Sequence, residues 1–441
     1  MKYLNGNLNN KVTEAEELGS CINSKVILQG AIYKIRNMKG FSFLLLRTKR
    51  KVVQCIYSKE FSSCAIEDIK EQMWVRIYGE VVREERSKTG YEVRINEVEI
   101  LSRAEEEFPV VINNKTIEAS METLLDYRMI TLRNEKERAI FKIQEGICMA
   151  FRQFFQEQRF TEIHTPKIVH AGAEGGANIF HLNYFGKDAY LAQSPQFYKQ
   201  MMVGVFERVY EIAPVFRAEK HDTRRHLNEY TSVDFEMGFI ESFMDIMKME
   251  TAMLSYCFEF LNNNYSYELQ LLNVKIPVIE EIPYITFYEA KDLIFREYQR
   301  EIKDMDDFEP EEEQLLYELI YKKTGSEFVF VTHYPSKKRP FYAMEDPKNS
   351  ETTLSFDLLF RGLEITTGGQ RIHEYEAQIK KMEERGMDTE AFHDYLKMHK
   401  YGMPPHGGLG LGLERFTAML LGFFNVRSAT LFPRDINRVT P

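Results

Sequence analysis

The stretch Val209-Tyr-Glu-Ile-Ala-Pro-Val-Phe216 decides how the larger part of this 441-residue chain folds. It leads into a charged segment that ends with Arg225-His226-Leu227-Asn228-Glu229-Tyr230, and largely apolar sequence returns from Thr231 to Phe239. Two such runs on either side of a polar segment predict a strand, a loop and a returning strand. The surrounding sequence lacks the regular strand and helix alternation of a parallel sheet, so we expect an antiparallel sheet flanked by helices.

The loop of this hairpin carries side chains suited to a nucleotide. An arginine such as Arg217 can bind a phosphate through two parallel hydrogen bonds, and Tyr230 can stack on a base. As surface ion pairs, the same charged residues would contribute little to stability. The segment by itself leaves both interpretations open.

A second charged segment runs from Asp357 through Glu364 and Thr367 to Arg371. Carboxylates and a hydroxyl alternate there with apolar residues, and hard oxygen ligands of this kind suit Mg²⁺ held jointly with substrate phosphates. A buried ion-pair network with Arg361 would have the same sequence, so this alternative also stays open.

Two shorter segments complete the candidate site. In the segment Gly407–Arg415, small residues allow close approach of a ligand or of backbone before a helix that carries an arginine. Its glycine spacing does not match a dinucleotide-binding fingerprint. In the segment Ala192–Lys199, a turn leads into a helix that would present Gln196 and Lys199 on one face.

The amino-terminal part has a different pattern, typical of a small β-barrel. Between residues 21 and 104, short runs alternate apolar and polar residues, and breakers such as Lys39-Gly40 fall between them, so about five strands fit. From Cys21 to Lys59 there are basic residues and no acidic ones: Lys25, Lys34, Arg36, Lys39, Arg47, Lys49, Arg50, Lys51 and Lys59. Interleaved aromatic residues make this stripe suitable for single-stranded nucleic acid, although a solvated strand face would look the same.

These patterns predict an α+β protein of two domains. We expect a tail at residues 1–20, the barrel at 21–104, a linker at 105–125 and the larger domain at 126–441. A long amphipathic helix should open the larger domain, because apolar residues recur at helical spacing from Ile140 to Phe154.

Composition limits the function classes. The net charge of −10 argues against a protein that coats nucleic acid indiscriminately, because its field would repel a polyanion. The five cysteines are widely spaced and include no Cys-x-x-Cys pair, which argues against a zinc site or a disulfide framework. No stretch of about 18 uncharged apolar residues and no secretory signal stand out, so we expect a cytoplasmic protein without a membrane anchor.

In this order, the segments resemble the three motifs of the class II aminoacyl-tRNA synthetases, and the chain is most similar to aspartyl-tRNA synthetases of the archaeal and eukaryotic type. Phe160-Thr-Glu-Ile-His-Thr-Pro166 resembles the first motif, Phe216–Glu219 with Arg225-His226 the second, and Gly410–Arg415 the third. The resemblance spans nearly the whole chain. It implies an OB-fold that reads the anticodon, an antiparallel active-site sheet, a homodimer, and ATP-dependent attachment of L-aspartate to tRNA(Asp) through an aspartyl adenylate.

The resemblance also implies roles for individual residues. Catalysis would depend on Arg217, Glu219 and Arg415. The ATP site would comprise Arg217, Glu219, Arg225, His226, Leu227, Tyr230, Glu364, Gly412, Leu413, Glu414 and Arg415. Mg²⁺ would be bound by Glu364, Thr367 and Asp357, although the family usually has serine where this chain has Thr367. Aspartate would be bound by Glu174, Gln196, Lys199, Arg217, Asp234, Thr367 and Arg371. The anticodon would contact Phe43, Gln54 and Glu92.

Within this family, Lys199 favours aspartate. Lys199 and Arg371 resemble the family's clamp on the side-chain carboxylate, and asparaginyl relatives lack that lysine. Leaving one member of a buried charge pair alone costs about 3–5 kcal/mol, which disfavours neutral asparagine on the order of a hundredfold or more. Lys199 also argues against a lysyl-tRNA synthetase. Intact Arg217, Glu364 and Arg415 argue against a silent RNA-binding paralogue, and the basic stripe argues against a tRNA-independent amide-forming enzyme.

Overall fold

The computed structural model describes residues 12–87, 89–170, 172, 178–220 and 223–441. The chain divides into two compact units, Met1–Arg138 and Ala139–Pro441. The long helix α3 (Glu135–Glu157) begins in the first unit and continues in the second. The domain limits stated above stay predictions.

The first unit is built around a closed barrel of five strands in the order β1-β2-β3-β5-β4. The strands are β1 (Lys25–Asn37), β2 (Ser42–Arg47), β3 (Val52–Tyr57), β4 (Trp74–Arg83) and β5 (Tyr91–Ser102), followed by helices α1 (Met121–Asp126) and α2 (Arg128–Thr131). Alternate side chains such as Leu44, Cys55 and Val93 fill the interior, because successive residues of a strand point to opposite faces. The predicted OB-fold is confirmed.

The second unit contains a sheet of eight strands in the order β12-β13-β16-β17-β18-β11-β10-β6. The strands of this unit are β6 (Thr161–Glu162), β7 (Ile168–Val169), β8 (His181–Tyr184), β9 (Lys187–Leu191), β10 (Arg208–Phe216), β11 (Glu229–Gly238), β12 (Tyr284–Thr286), β13 (Phe328–Thr332), β14 (Glu345–Asp346), β15 (Asn349–Thr353), β16 (Ser355–Phe360), β17 (Leu363–Gln370) and β18 (His406–Gly412). The six inner strands pair antiparallel, as predicted, whereas β12 and β6 pair parallel at the two edges.

Helices pack on this sheet and complete the second unit. They are α3 (Glu135–Glu157), α4 (Gln196–Phe206), α5 (Met244–Asn264), α6 (Ser266–Leu272), α7 (Phe287–Tyr298), α8 (Pro310–Thr324), α9 (Tyr375–Glu384), α10 (His393–Lys400) and α11 (Leu413–Leu421). The apolar stripe predicted for the first long helix faces the core of the second unit, where Phe151 packs against Phe416. Burying each such ring stabilises the fold by about 1.5–3 kcal/mol. None of the helices in the described part of the chain is long and apolar enough to cross a membrane.

The hairpin quoted first is formed by β10 and β11, which pair from Arg208 opposite Met237 to Phe216 opposite Glu229. Strand β11 also pairs with β18, and this register places Gly410 opposite Asp234 and Gly408 opposite Glu236. A Cβ atom on Gly408 would lie only 2.3 Å from Oε2 of Glu236. Because the glycines of β18 have no side chain, two buried carboxylates of β11 fit against this strand.

Candidate active site

A cavity of about 1080 Å³ opens on the antiparallel part of the large sheet. Its lining includes most of the residues predicted for the site: Gln196, Lys199, Arg217, Glu219, Arg225, His226, Leu227, Tyr230, Asp234, Asp357, Glu364, Thr367, Arg371, Gly412, Glu414 and Arg415. Leu413 does not line it; its side chain is 4% exposed and packs in the core. Glu174 lies outside the described residues.

One end of the cavity is formed by the loop between β10 and β11. The guanidinium of Arg217 lies 6.0 Å from the ring centre of Tyr230 and 3.8 Å from a carboxylate oxygen of Glu219. Glu219 also lies 3.8 Å from Nε2 of His226. The Arg217 side chain keeps 40% of its surface exposed. A cation and an aromatic face thus lie side by side, an arrangement that can bind a phosphate and a base of one nucleotide.

Two further arginines border this end, one held by a carboxylate and the other by backbone carbonyl oxygens. Arg225 donates from Nη1 to Glu313 at 2.6 Å, and Arg415 donates to the carbonyl oxygens of Arg225 and Glu364. Burial raises the pKa of Glu313 to about 7, although Arg225 opposes this shift. Glu313 was not among the predicted site residues, because Pro310 and the glutamates after it have the pattern of a helix start, and they do form one.

The predicted metal ligands lie on neighbouring strands. Asp357 of β16 pairs opposite Thr367 of β17, whose hydroxyl donates to Glu364 at 3.1 Å. Burial raises the pKa of Asp357 to about 6, and the charge of Glu364 adds to the shift. Arg339, which the sequence analysis missed, lies 2.8 Å from Asp357 Oδ1 and opposes it.

These residues fit a magnesium ion. Two neighbouring carboxylates, of which Glu364 raises the pKa of Asp357, form together with the hydroxyl of Thr367 a donor set for a hard cation. Among the described residues no group of three or more His, Cys, Asp or Glu side chains is arranged to hold a metal. A site of this kind would share the ion with substrate phosphates, which is how Mg²⁺ is usually held.

Four buried charges lie at the other end of the cavity: Lys199, Asp234 and Arg371, which line it, and Glu236, which does not; we call them the charged quartet. Lys199 donates from Nζ to Asp234 at 2.9 Å, and the same nitrogen lies 3.5 Å from Glu236. Arg371 donates from Nε to the other oxygen of Glu236 at 2.9 Å. Burial alone would raise the pKa of Glu236, but Arg371 and Lys199 hold it below its usual value. Glu236 therefore stays ionised although it is buried, because two cations lie beside it.

Glu236 is the member of the charged quartet that sequence analysis missed. It follows Asp234 by two residues on β11, and residues two apart in a strand share a face. Because Asp234 was already predicted to lie in the site, this two-residue spacing could have identified Glu236 from the sequence.

Glu414 lines the cavity but is occupied by the backbone. Its two oxygens accept hydrogen bonds from the backbone N–H of Thr231 at 3.1 and 3.0 Å. Burial raises the pKa of Glu414 to about 7. This contact ties the start of α11 to β11 behind Tyr230.

Of the residues predicted to contact an anticodon, Phe43 and Gln54 are partly exposed on the barrel, whereas Glu92 is buried with 7% of its surface exposed. Phe43 of β2, Gln54 of β3 and Glu92 of β5 alternate with side chains that fill the barrel interior. The three strands are neighbours in the order β2-β3-β5. Phe43 packs edge to face with Phe41 at 5.1 Å, and burial raises the pKa of Glu92. One face of the barrel therefore combines an aromatic ring with hydrogen-bonding groups.

Two family models match the chain. Residues 120–436 match tRNA synthetases class II (D, K and N), and residues 26–101 match the OB-fold nucleic acid binding domain. The Aspartate--tRNA(Asp/Asn) ligase of Thermus thermophilus is 47% identical over 96% of this chain and 99% of that protein. The Aspartate--tRNA(Asp) ligase of Pyrococcus horikoshii is 37% identical over 98% of both chains.

Solved structures of similar proteins cover nearly the same length. Asparaginyl-tRNA synthetase from Pyrococcus horikoshii, complexed with asparaginyl-adenylate, superposes with a TM-score of 0.89 at 32% identity, covering 98% of this chain and 100% of that chain. Aspartyl tRNA synthetase from Entamoeba histolytica superposes with a TM-score of 0.86 at 32% identity, covering 98% and 93%.

Proposed function

Because the chain belongs to the class II tRNA synthetases of the aspartate, lysine and asparagine group, we propose that it joins L-aspartate to tRNA(Asp) with the use of ATP. The observation that carries this proposal is the charged quartet, which places the cations Lys199 and Arg371 at one end of a cavity whose other end has arginines and Tyr230. The curated relatives at 37–47% identity are named as aspartate ligases.

The choice of aspartate over asparagine follows from the charges that line the cavity. A side-chain carboxylate accepts charge-assisted hydrogen bonds from Lys199 and Arg371, which are about twice as strong as neutral ones. Asp234 and Glu236 balance the two cations when no substrate is bound. A neutral carboxamide would replace the charged acceptor and would turn an NH2 group towards cations that can only donate.

The first reaction step would proceed at the centre of the cavity. The α-carboxylate of aspartate attacks the α-phosphorus of ATP, so that an aspartyl adenylate forms and diphosphate leaves. Arg217 would contact both the carboxylate and the phosphate, Tyr230 would stack on adenine, and Arg225 and Arg415 would hold the nucleotide. Bound Mg²⁺ at Asp357, Glu364 and Thr367 would supply positive charge to the phosphate oxygens. A ribose hydroxyl of the terminal adenosine of tRNA then attacks the aspartyl carbonyl and releases AMP.

The barrel would recognise the tRNA through the face that carries Phe43, Gln54 and Glu92. Aromatic stacking and hydrogen bonds to splayed bases are the usual means of reading single-stranded RNA. The Thermus thermophilus relative is named as a ligase for both tRNA(Asp) and tRNA(Asn), so tRNA(Asn) is a candidate second substrate for this chain. Charging assays with purified tRNA(Asp) and purified tRNA(Asn) separate the two specificities.

We also expect a homodimer in the cytoplasm, the compartment that holds tRNA and ATP for translation. The motif that resembles the family's first motif, around Thr161–Glu162, forms the edge strand β6 of the large sheet. Sedimentation at micromolar concentration tests the dimer, and a monomer as the only species would contradict it.

The decisive experiment is the exchange of labelled pyrophosphate into ATP with Mg²⁺, with aspartate, asparagine and lysine tested separately. We expect exchange with aspartate alone. Exchange with asparagine and none with aspartate would move the chain to the asparagine specificity. If no amino acid supports exchange, with or without tRNA, the proposed catalytic function fails.

A further inference from the structure

A row of buried hydrogen-bonding side chains leads away from the amino acid end of the cavity. Gln196 is the first residue of α4, and Gln200 lies one turn later on the same face. Gln196 donates from Nε2 to Oε1 of Gln200 at 3.0 Å, and Nε2 of Gln200 lies 3.0 Å from Nε2 of His406. The three side chains are 2%, 0% and 0% exposed. None of the roles described above uses Gln200 or His406.

The partners of His406 determine which ring nitrogen carries the hydrogen. Its Nδ1 lies 2.9 Å from the carbonyl oxygen of Pro404, which can only accept, so Nδ1 is the donor. Burial lowers the pKa of His406, and the charges of Arg371 and His373 lower it further. Glu236 has the opposite effect, but the pKa stays below its usual value. The ring is therefore neutral at pH 7, and its Nε2 is an acceptor.

This tautomer fixes the direction of both amides. Because His406 Nε2 accepts, Gln200 must turn its NH2 group towards the ring and its Oε1 towards Gln196. The hydroxyl of Tyr395 lies 3.3 Å from the same Oε1 and 3.4 Å from Oε1 of Gln378, and its one hydrogen can be donated to either oxygen. Gln196 must then turn its own NH2 group towards Gln200. Oε1 of Gln196 is then left to face the cavity, and no described residue donates a hydrogen bond to it.

We propose that Gln200 and His406 are positioning residues that keep Oε1 of Gln196 turned towards the α-ammonium group of aspartate. An ammonium group only donates, so it needs this acceptor, and a reversed amide would present two N–H donors to a cation. The inference rests on the proposed function, because it takes aspartate as the molecule that occupies this end of the cavity.

A double-mutant cycle tests the relay, with KM and kcat for aspartate measured by pyrophosphate exchange. Gln196→Ala should raise the KM for aspartate about tenfold, the usual order for a lost hydrogen bond to a charged group. Gln200→Met should raise it about fivefold and leave the KM for ATP unchanged. In the Gln196→Ala background, Gln200→Met should have no further effect, because its action runs through the amide already removed. Increases that multiply in the double variant would overturn the proposal.

Thermal melting of each variant shows whether it folds. If Gln200→Met does not fold, Gln200→Glu tests the relay independently. A glutamate keeps an acceptor for Gln196 Nε2 and can pair with a protonated His406, so Gln196 keeps its direction. We expect a KM for aspartate within about threefold of the parent. A rise as large as that of Gln196→Ala would contradict the relay. Absence of aspartate-dependent exchange in the parent protein would instead refute the proposed function itself.

Discussion

The guanidinium of Arg371 donates from Nε to Oε1 of Glu236 at 2.9 Å, and both side chains are buried at 5% and 0% exposure. The other oxygen of Glu236 lies 3.5 Å from Lys199. A carboxylate from β11 thus lies between the two cations that we propose to bind the substrate carboxylate. It pairs with both of them and partly offsets their charge.

Glu236→Ala should destabilise the protein by about 3–5 kcal/mol, because it leaves Lys199 and Arg371 with an uncompensated buried charge. Chemical denaturation followed by a spectroscopic signal of the second unit measures the free energy of unfolding. Glu229→Ala, at the exposed start of the same strand, is the control and should change it by less than about 0.5 kcal/mol. Equal effects of the two substitutions on the free energy of unfolding would show that the buried charge network does not stabilise the protein.

Lys199→Leu should abolish aspartate activation and leave ATP binding largely intact. The substitution removes a cation from the amino acid end of the cavity, whereas the arginines of the nucleotide end stay in place. Pyrophosphate exchange measures activation, and equilibrium binding of ATP measures the nucleotide site. The control is Lys380→Leu, because Lys380 is exposed on α9. Unchanged aspartate kinetics in Lys199→Leu would remove the basis for the specificity argument.

Phe43→Ala should raise the KM for tRNA and leave pyrophosphate exchange unchanged. Stacking of a base on an aromatic ring contributes about 1–3 kcal/mol, so an increase of about fivefold or more is expected. Aminoacylation at varied tRNA concentration measures it. Leu101→Ala is a matched control, since Leu101 is an exposed apolar residue near the other end of β5 from Glu92. The same tRNA kinetics for parent and Phe43→Ala would count against the anticodon role.

Glu250→Gln should stabilise the protein at neutral and alkaline pH. Glu250 of α5 is 0% exposed, and burial raises its pKa to about 8. Since the folded form holds its proton more tightly than the unfolded form, the stability that this group contributes at low pH is lost as pH rises from about 4.5 towards 8. At pH 7 the loss amounts to about 3 kcal/mol, and a neutral amide avoids it.

Denaturation of the parent and of Glu250→Gln at pH 5, 7 and 8.5 measures this difference. The stability advantage of the variant should grow with pH. Glu259→Gln, on the exposed face of the same helix, should show no such trend. A constant difference between parent and Glu250→Gln across this range would mean that Glu250 is ionised in the folded state.

The sequence determined the main elements of this protein and the side-chain types of its candidate site. The period-two pattern of residues 21–104 predicted a five-stranded barrel, and the run from Val209 to Phe239 predicted the hairpin of β10 and β11. Such patterns are local, because the alternation of faces in a strand and the turn of a helix repeat within a few residues. Side chains that suit phosphate and carboxylate binding, such as Arg217 and Lys199, were recognisable from their order along the chain.

Only the tertiary structure decided which side chains act on one another. Glu236 contacts Arg371 although 135 residues separate them in sequence, and Gln200 contacts His406 at a separation of 206 residues. These contacts depend on the register of β11 and β17 against β18 and on the packing of α4 against the sheet. Register and packing are set by the whole core at once, because one residue of slip would turn each inward side chain outward. The ionisation of Glu236 and the direction of the Gln196 amide follow from that placement.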